Sequence, residues 1–179
     1  MEKIFLIIKR AVVFFIQTYQ IKTSPIQYAR SLGVEVGNNC KFGDIDTGTF
    51  GTEPYLITIG DHVEITSGVR FITHDGSVWV FRDKLPNIDI VKPIEVGNNV
   101  FIGMRSMILP GVSIGNNVII GAGSVVVSNI PSNNVVAGIP ARIIRDMDSY
   151  YKKISKITID TKTMNKVDKK KFLIKKFYG

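Results

Sequence analysis

From Ile94 onward, branched apolar residues return every sixth position without a miss: Val96, Ile102, Ile108, Ile114, Ile120 and Val126. Four residues after each come Val100, Ser106, Val112, Val118, Ser124 and Ile130, small or apolar every time. The same spacing gives Ile59, Ile65 and Phe71 upstream, with a partial echo at Val36 and Phe42. An amphipathic helix would repeat every 3.6 residues and a surface strand every two, so neither produces a beat of six. A hexapeptide recurrence instead predicts a β-helix, in which each unit makes one short strand and a corner with its aliphatic residue pointing inward. Successive coils stack at about 4.8 Å, so equivalent positions pile into apolar columns.

Residues at the expected corners fit this reading. Gly37, Gly60, Gly97, Gly103, Gly115 and Gly121 follow the inward aliphatic position. Asn-Asn pairs at 38–39, 98–99 and 116–117 supply residues that tolerate the left-handed backbone of a tight corner. A coil cannot bury its core alone, so the ends need caps, and the N-terminal segment is the natural candidate. The expected organisation is an all-β solenoid over residues 34–146, preceded by a helical segment (1–33) and followed by a basic tail (147–179).

The beat fails after Phe71. The next inward positions would be Ser77, Asp83 and Asp89, none suited to an apolar column. Residues 73–93 therefore read as a loop thrown out of the coil and ending at Pro93, and loops of this length in compact folds are commonly functional. It carries His74, Asp75, Trp79, Phe81 and Arg82. The other histidine, His62 in "IGDHVEI", reads as a solvated corner residue.

Charge is segregated. Residues 1–149 hold 13 basic and 13 acidic residues, whereas residues 150–179 hold ten lysines against Asp160 and Asp168. A nucleic-acid module would place basic residues on its folded face among stacking aromatics, so nucleic acid is not an expected partner. A charge run of this kind is ordinarily a solvated, mobile segment. The single cysteine, Cys40, excludes an internal disulfide and reads as a small buried apolar residue in a reducing compartment. The apolar start "KIFLIIKRAVVFFIQTYQI" is interrupted by Lys9 and Arg10, and neither half approaches the roughly 20 residues of a membrane span. Lys3, Arg10 and Gln17 form a polar stripe on a helix there. That pattern fits packing on the protein's own body, the favoured expectation, or lying in a membrane interface together with the basic tail. The expected location is cytoplasmic, with the inner membrane face as an extension of that reading.

The stretch "VGNNVFIGMRSMILPGVSIGNNVIIGAGSVVVSNIPSNNVVAGIPARIIR" (96–145) resembles the left-handed β-helix hexapeptide acyltransferases, in particular the maltose, galactoside and xenobiotic acetyltransferase branch. The terminal "GAGSVV…IP…VVAGIPAR" block carries most of the specificity. The resemblance, rather than the periodicity, implies the left hand of the coil, a homotrimer, and acetyl-CoA bound between adjacent coils. It implies that His74 in "THDG" is the catalytic base, a role suited to an imidazole with an ordinary pKa of about 6.5. No covalent acyl-enzyme and no metal are required. Asp75 is a candidate to orient the ring, with Glu53, Asp61 and Glu64 as rivals. The cofactor contacts carried over are Gly103, Met104, Ala122, Val127, Ser128, Arg142 and Arg145. Met104 stands where the family often has Ser, and Val127-Ser128 replaces a common Thr-Lys pair. Trp79, Phe81 and Arg82 are candidate contacts to a carbohydrate acceptor or to a neighbouring subunit.

The function expected is acetyl-CoA-dependent O-acetylation of a sugar hydroxyl in surface-polysaccharide synthesis. N-acetylation of a nucleotide-linked amino sugar and O-acetylation of a xenobiotic remain alternatives. A metal-dependent carbonic anhydrase on the same coil needs three histidine ligands, and this chain has two histidines. A non-catalytic scaffold coil leaves the excursion with His74 unexplained.

Overall fold

The computed structural model describes residues 2–179, and side chains from residue 5 onward except at 7, 8 and 10. The Lys3 and Arg10 side chains of the expected polar stripe thus lie outside the described residues. Two helices, α1 (Glu2–Thr23) and α2 (Pro25–Ser31), precede the coil. The strands follow as β1 (Glu35–Val36), β2 (Lys41–Phe42), β3 (Ile57–Ile59), β4 (Val63–Ile65), β5 (Arg70–Phe71), β6 (Ile94–Val96), β7 (Val100–Ile102), β8 (Met107–Ile108), β9 (Ser113–Ile114), β10 (Val118–Ile120), β11 (Val125–Val126), β12 (Asn134–Gly138) and β13 (Ala141–Asp146). Contacts divide the chain into residues 1–147 and 148–179. The second unit contains most of α3 (Met147–Ile154) and all of α4 (Lys166–Tyr178).

Consecutive strands enter three different sheets in turn, ordered β1-β3-β6-β9, β13-β12-β10-β7-β4-β2 and β11-β8-β5. All pairings are parallel except the terminal β12–β13 hairpin. Val100 pairs with Val118, 18 positions on, as three hexapeptides per coil require. The inward columns are as the beat predicts: Ile65, Phe71, Ile102, Ile108 and Ile120 are fully buried. Ser106 and Ser124 enter the same interior, and both donate their hydroxyls to the Gly121 carbonyl, at 3.0 and 2.6 Å. Burial without an unpaired polar atom makes serine tolerable there.

The corners explain the glycines and asparagines. A Cβ on Gly60 would come 2.8 Å from the Gly97 carbonyl oxygen, and one on Gly97 would come 2.8 Å from that of Gly115. Coils stack too closely at this column for any side chain. Asn39, His62, Asn99, Asn117 and Asn133 take positive φ, between 54° and 65°. The last four side chains form a ladder along the coil axis: His62 Nδ1 lies 2.8 Å from Asn99 Oδ1, Asn99 donates to Asn117, and Asn117 donates to Asn133. His62 is thus a corner residue, as expected.

Two segments depart from the beat. Val63 pairs with Val100, 37 positions on, so an excursion of 19 residues is inserted between β5 and β6. A shorter insertion follows β2, where Lys41 pairs with Glu64, 23 positions on. Its Phe50 is buried and packs between Phe42 and Phe71, with ring centroids 5.9 and 5.8 Å apart. Arg70 holds this insertion to the coil, donating from both guanidinium nitrogens to the Asp46 carboxylate.

The cap of the coil is α2, whose Tyr28 and Ala29 join the core, rather than the long α1. Only the last turns of α1 meet the coil, with Ile21 packed against its core, while Phe5, Phe15 and Tyr19 are each at least 70% exposed. The basic tail is not irregular. Asn165 caps α4, accepting from the backbone N–H groups of Val167 and Asp168, and the helix runs on to Tyr178. Cys40 is half-buried, with Sγ 3.2 Å from the Gly60 carbonyl.

Candidate active site

The excursion is closed at its base by a short antiparallel neck. His74 bridges Val91, the Asp75 N–H donates to the Ile90 carbonyl, and the Lys92 N–H donates to the Thr73 carbonyl. These bonds fix the backbone of His74 against the coil, on the edge between the β11-β8-β5 sheet and the β1-β3-β6-β9 sheet. Thr73 is fully buried, so the chain is anchored immediately before the imidazole.

The ring lies between two carboxylates. Asp89 Oδ1 is 2.9 Å from Nε2, and Glu53 Oε1 is 3.8 Å from Nδ1. Asp89 belongs to the returning limb of the excursion, whereas Glu53 comes from the insertion after β2. The Glu53 carboxylate accepts hydrogen bonds from the hydroxyls of Thr73 and Thr52, both at 2.7 Å. The Thr73 bond, more than any other effect, holds its carboxyl below the ordinary value; burial opposes it, and the Thr52 bond and the His74 charge add to the lowering. A carboxylate kept ionised beside an imidazole stabilises the imidazolium formed when the ring takes a proton.

Asp75, one of the candidates to orient the ring, is turned elsewhere. Its carboxylate accepts from the Ser77 N–H at 2.9 Å and caps a 3₁₀ turn, Gly76–Phe81. That bond holds its carboxyl below the ordinary range. Adjacent side chains in extended backbone point to opposite sides, which is why the neighbour of His74 does not face it. The rivals Asp61 and Glu64 are engaged at other corners: Asp61 accepts from the Asn38 N–H and Glu64 pairs with Lys41. Asp89, absent from the sequence-based candidates, takes the place. Its only signal in sequence was an acid just before the restart of the repeat.

The 3₁₀ turn tucks Val78 inward and leaves Trp79 and Phe81 72% and 56% exposed. Arg82 follows, also exposed, its N–H donating to the Trp79 carbonyl. On the coil edge that bears His74, two coils further on, a cleft of about 590 Å³ is lined by Val127, Ser128, Asn129, Pro131, Arg142 and Ile143, among others. At the 4.8 Å coil spacing this places the cleft about 10 Å from the neck along the axis. It gathers three of the expected cofactor residues: Val127, Ser128 and Arg142. Gly103, Met104 and Ala122 lie on a different edge, between β7 and β8 and between β10 and β11, where the Gly123 N–H donates to the Met104 carbonyl. Arg145 lies further along β13, opposite Val135. Among the described residues no group of three His, Cys, Asp or Glu side chains is placed to hold a metal ion.

The parallel coil of hexapeptides thus carries a looped-out histidine on the same edge as the cleft. Comparison with known proteins makes the family explicit. A family model described as bacterial transferase hexapeptide (six repeats) matches residues 93–128. Protein CapG of Staphylococcus aureus is 56% identical over 148 residues, which span 83% of this chain and 86% of that protein. Galactoside O-acetyltransferase of Escherichia coli (strain K12) is 33% identical over 140 residues, covering 71% of this chain and 62% of that protein. Among solved structures, a hexapeptide-repeat acetyltransferase of Vibrio cholerae O1 biovar eltor, complexed with acetyl coenzyme A, matches with a TM-score of 0.55. It is 29% identical, and the match covers 73% of this chain and 83% of that one. The chain belongs to the hexapeptide-repeat acetyltransferases, and its coil is the left-handed β-helix of that family.

Proposed function

We propose that this protein transfers the acetyl group of acetyl-CoA to a hydroxyl of a sugar, in the building of a surface polysaccharide, with His74 as general base. The observation that carries the reading is the imidazole set between Glu53 and Asp89 on the coil edge that also bears the Arg142 cleft. The acetyl coenzyme A held by the Vibrio cholerae relative supports the donor, and the galactoside O-acetyltransferase supports the acceptor class.

In the proposed step, the imidazole removes the acceptor O–H proton as that oxygen attacks the thioester carbonyl. The ring becomes cationic between two carboxylates, which lowers the energy of that state. Collapse of the tetrahedral intermediate breaks the C–S bond, and the imidazolium returns its proton to the CoA thiolate. The products are the acetyl ester and free CoA, with no acyl-enzyme. Arg142 and Arg145 supply charge for the CoA phosphates. Trp79 and Phe81 offer aromatic faces to an acceptor ring.

The expected cofactor residues fall on two edges of one coil, which a single chain does not turn toward one ligand. Two neighbouring copies in a trimer can: one would present the His74 edge and its partner the Met104–Ala122 edge. This supports a homotrimer with shared sites, working in the cytoplasm where acetyl-CoA is made. The test is CoA release by the purified protein over sugars, nucleotide sugars and chloramphenicol-like acceptors, with mass spectrometry of the product. An O-acetylated sugar supports the reading; turnover confined to amines, or none with any acceptor, overturns it.

A further inference from the structure

The helix α1 presents an apolar stripe that the rest of the described molecule leaves uncovered. Phe5, Val12, Phe15, Ile16 and Tyr19 are exposed by 71, 51, 71, 53 and 70%. At about 100° per residue these five fall within one arc of about 100°; Leu6, Val13 and Phe14, exposed by 49, 44 and 60%, lie outside it. Lys9 borders the arc on one side and Lys22 on the other. The opposite face, with Phe14, Thr18 and Ile21, and the marginal Lys22 line a cleft against Phe42 and Ile45 of the first coil, so the stripe itself faces away from the coil. No helix among the described residues is long and apolar enough to cross a membrane.

Charge decides between the possible occupants. Between Glu2 and Glu35 the sequence has Lys3, Lys9, Arg10, Lys22 and Arg30 and no acidic residue at all. A seam between copies of this helix would bring like charges together at its margins, where paired helices use opposite ones. An anionic bilayer meets both features: its acyl region takes the aromatic stripe, while its headgroups take lysines that reach out from the margins. We infer that α1 lies in the interface of an anionic membrane, with Phe5, Phe15 and Tyr19 inserted and Lys9 and Lys22 at headgroup level. This goes beyond the acetyl-transfer reading and does not depend on it.

The test is flotation of the full-length protein with vesicles of phosphatidylcholine and phosphatidylglycerol, and with phosphatidylcholine alone. The expected result is co-flotation with the anionic vesicles and at least a tenfold smaller floating fraction on neutral ones. The Phe5→Ser/Phe15→Ser/Tyr19→Ser variant and, separately, the Lys9→Glu/Lys22→Glu variant should each lower anionic binding at least tenfold. Both should keep the sedimentation coefficient and the far-ultraviolet circular dichroism of the wild type, since these side chains lie outside the core. Undiminished flotation of both variants would overturn the inference and point to the lysines of α4 instead. Failure of the wild type to float, with the serine variant changing the oligomeric state, would overturn it in favour of a second copy as occupant. Because these residues are outside the acetyl-transfer site, CoA release with soluble acceptors stays unchanged in both variants.

Discussion

Asp89 Oδ1 stands 2.9 Å from His74 Nε2, although the two residues lie on opposite limbs of the excursion. The neck hydrogen bonds between 73–75 and 90–92 are what bring them together. Asp89→Asn keeps the shape of that side chain and removes its charge. Steady-state assays should show kcat reduced by about 10²-fold, the scale of a mispositioned reacting group, with the KM for acetyl-CoA unchanged. A rise in that KM with kcat intact would place Asp89 in cofactor binding.

Arg142 is exposed, lines the cleft and donates to the Ala141 carbonyl. Under the proposed reading this exposed cation meets a phosphate of CoA. Arg142→Ala should raise the KM for acetyl-CoA by about tenfold, the worth of one charge-assisted hydrogen bond. The value of kcat should hold, and initial rates against acetyl-CoA concentration check both.

Gly103 tests the stacking of the coils. A Cβ there would come 2.5 Å from the Ala122 nitrogen and 2.6 Å from the Ile120 carbonyl oxygen, both backbone atoms that cannot swing aside. Gly103→Ala should therefore destabilise the fold by about 1–3 kcal/mol, as overpacking does. Urea unfolding followed by circular dichroism gives the difference.

Acid should weaken the insertion that carries Glu53. Hydrogen bonds from Arg70 hold the Asp46 carboxyl below its ordinary value of 3.8, helped by the Gly48 N–H and opposed by some burial. A carboxyl depressed in the folded state is protonated first in the unfolded chain. Its contribution is therefore present above the ordinary value and lost as pH falls from there through the folded value. Glu53 and Asp75 act with the same sign. Asp46→Asn should lose less stability than the wild type between about pH 6 and about pH 3, read from urea midpoints at the two pH values.

The coil was legible because its signal is one-dimensional. A residue's burial depends on its place modulo six, so Ile102 and Ile120 could be assigned inward without knowing any distant contact. The excursion was legible as a failure of the same rule at Ser77. The insertion after β2 was not, because Ile45 and Phe50 fill the core from outside the beat. Asp89 and Glu53 meet His74 from 15 and 21 positions away in sequence, which periodicity does not encode. Asp75 was the natural guess by adjacency, and the Ser77 N–H is what draws it away. The exposure of α1 was hidden for a similar reason: its composition suits packing, and only the coordinates show α2 taking the cap.

The most direct measurement is acetyl transfer by His74→Ala beside the wild type, each checked for unchanged assembly by sedimentation. The account predicts a loss in kcat/KM of about 10²–10⁴-fold with the same sedimentation coefficient and the same affinity for CoA. A variant that turns over at near the wild-type rate would contradict it, and the base would have to be sought away from the neck.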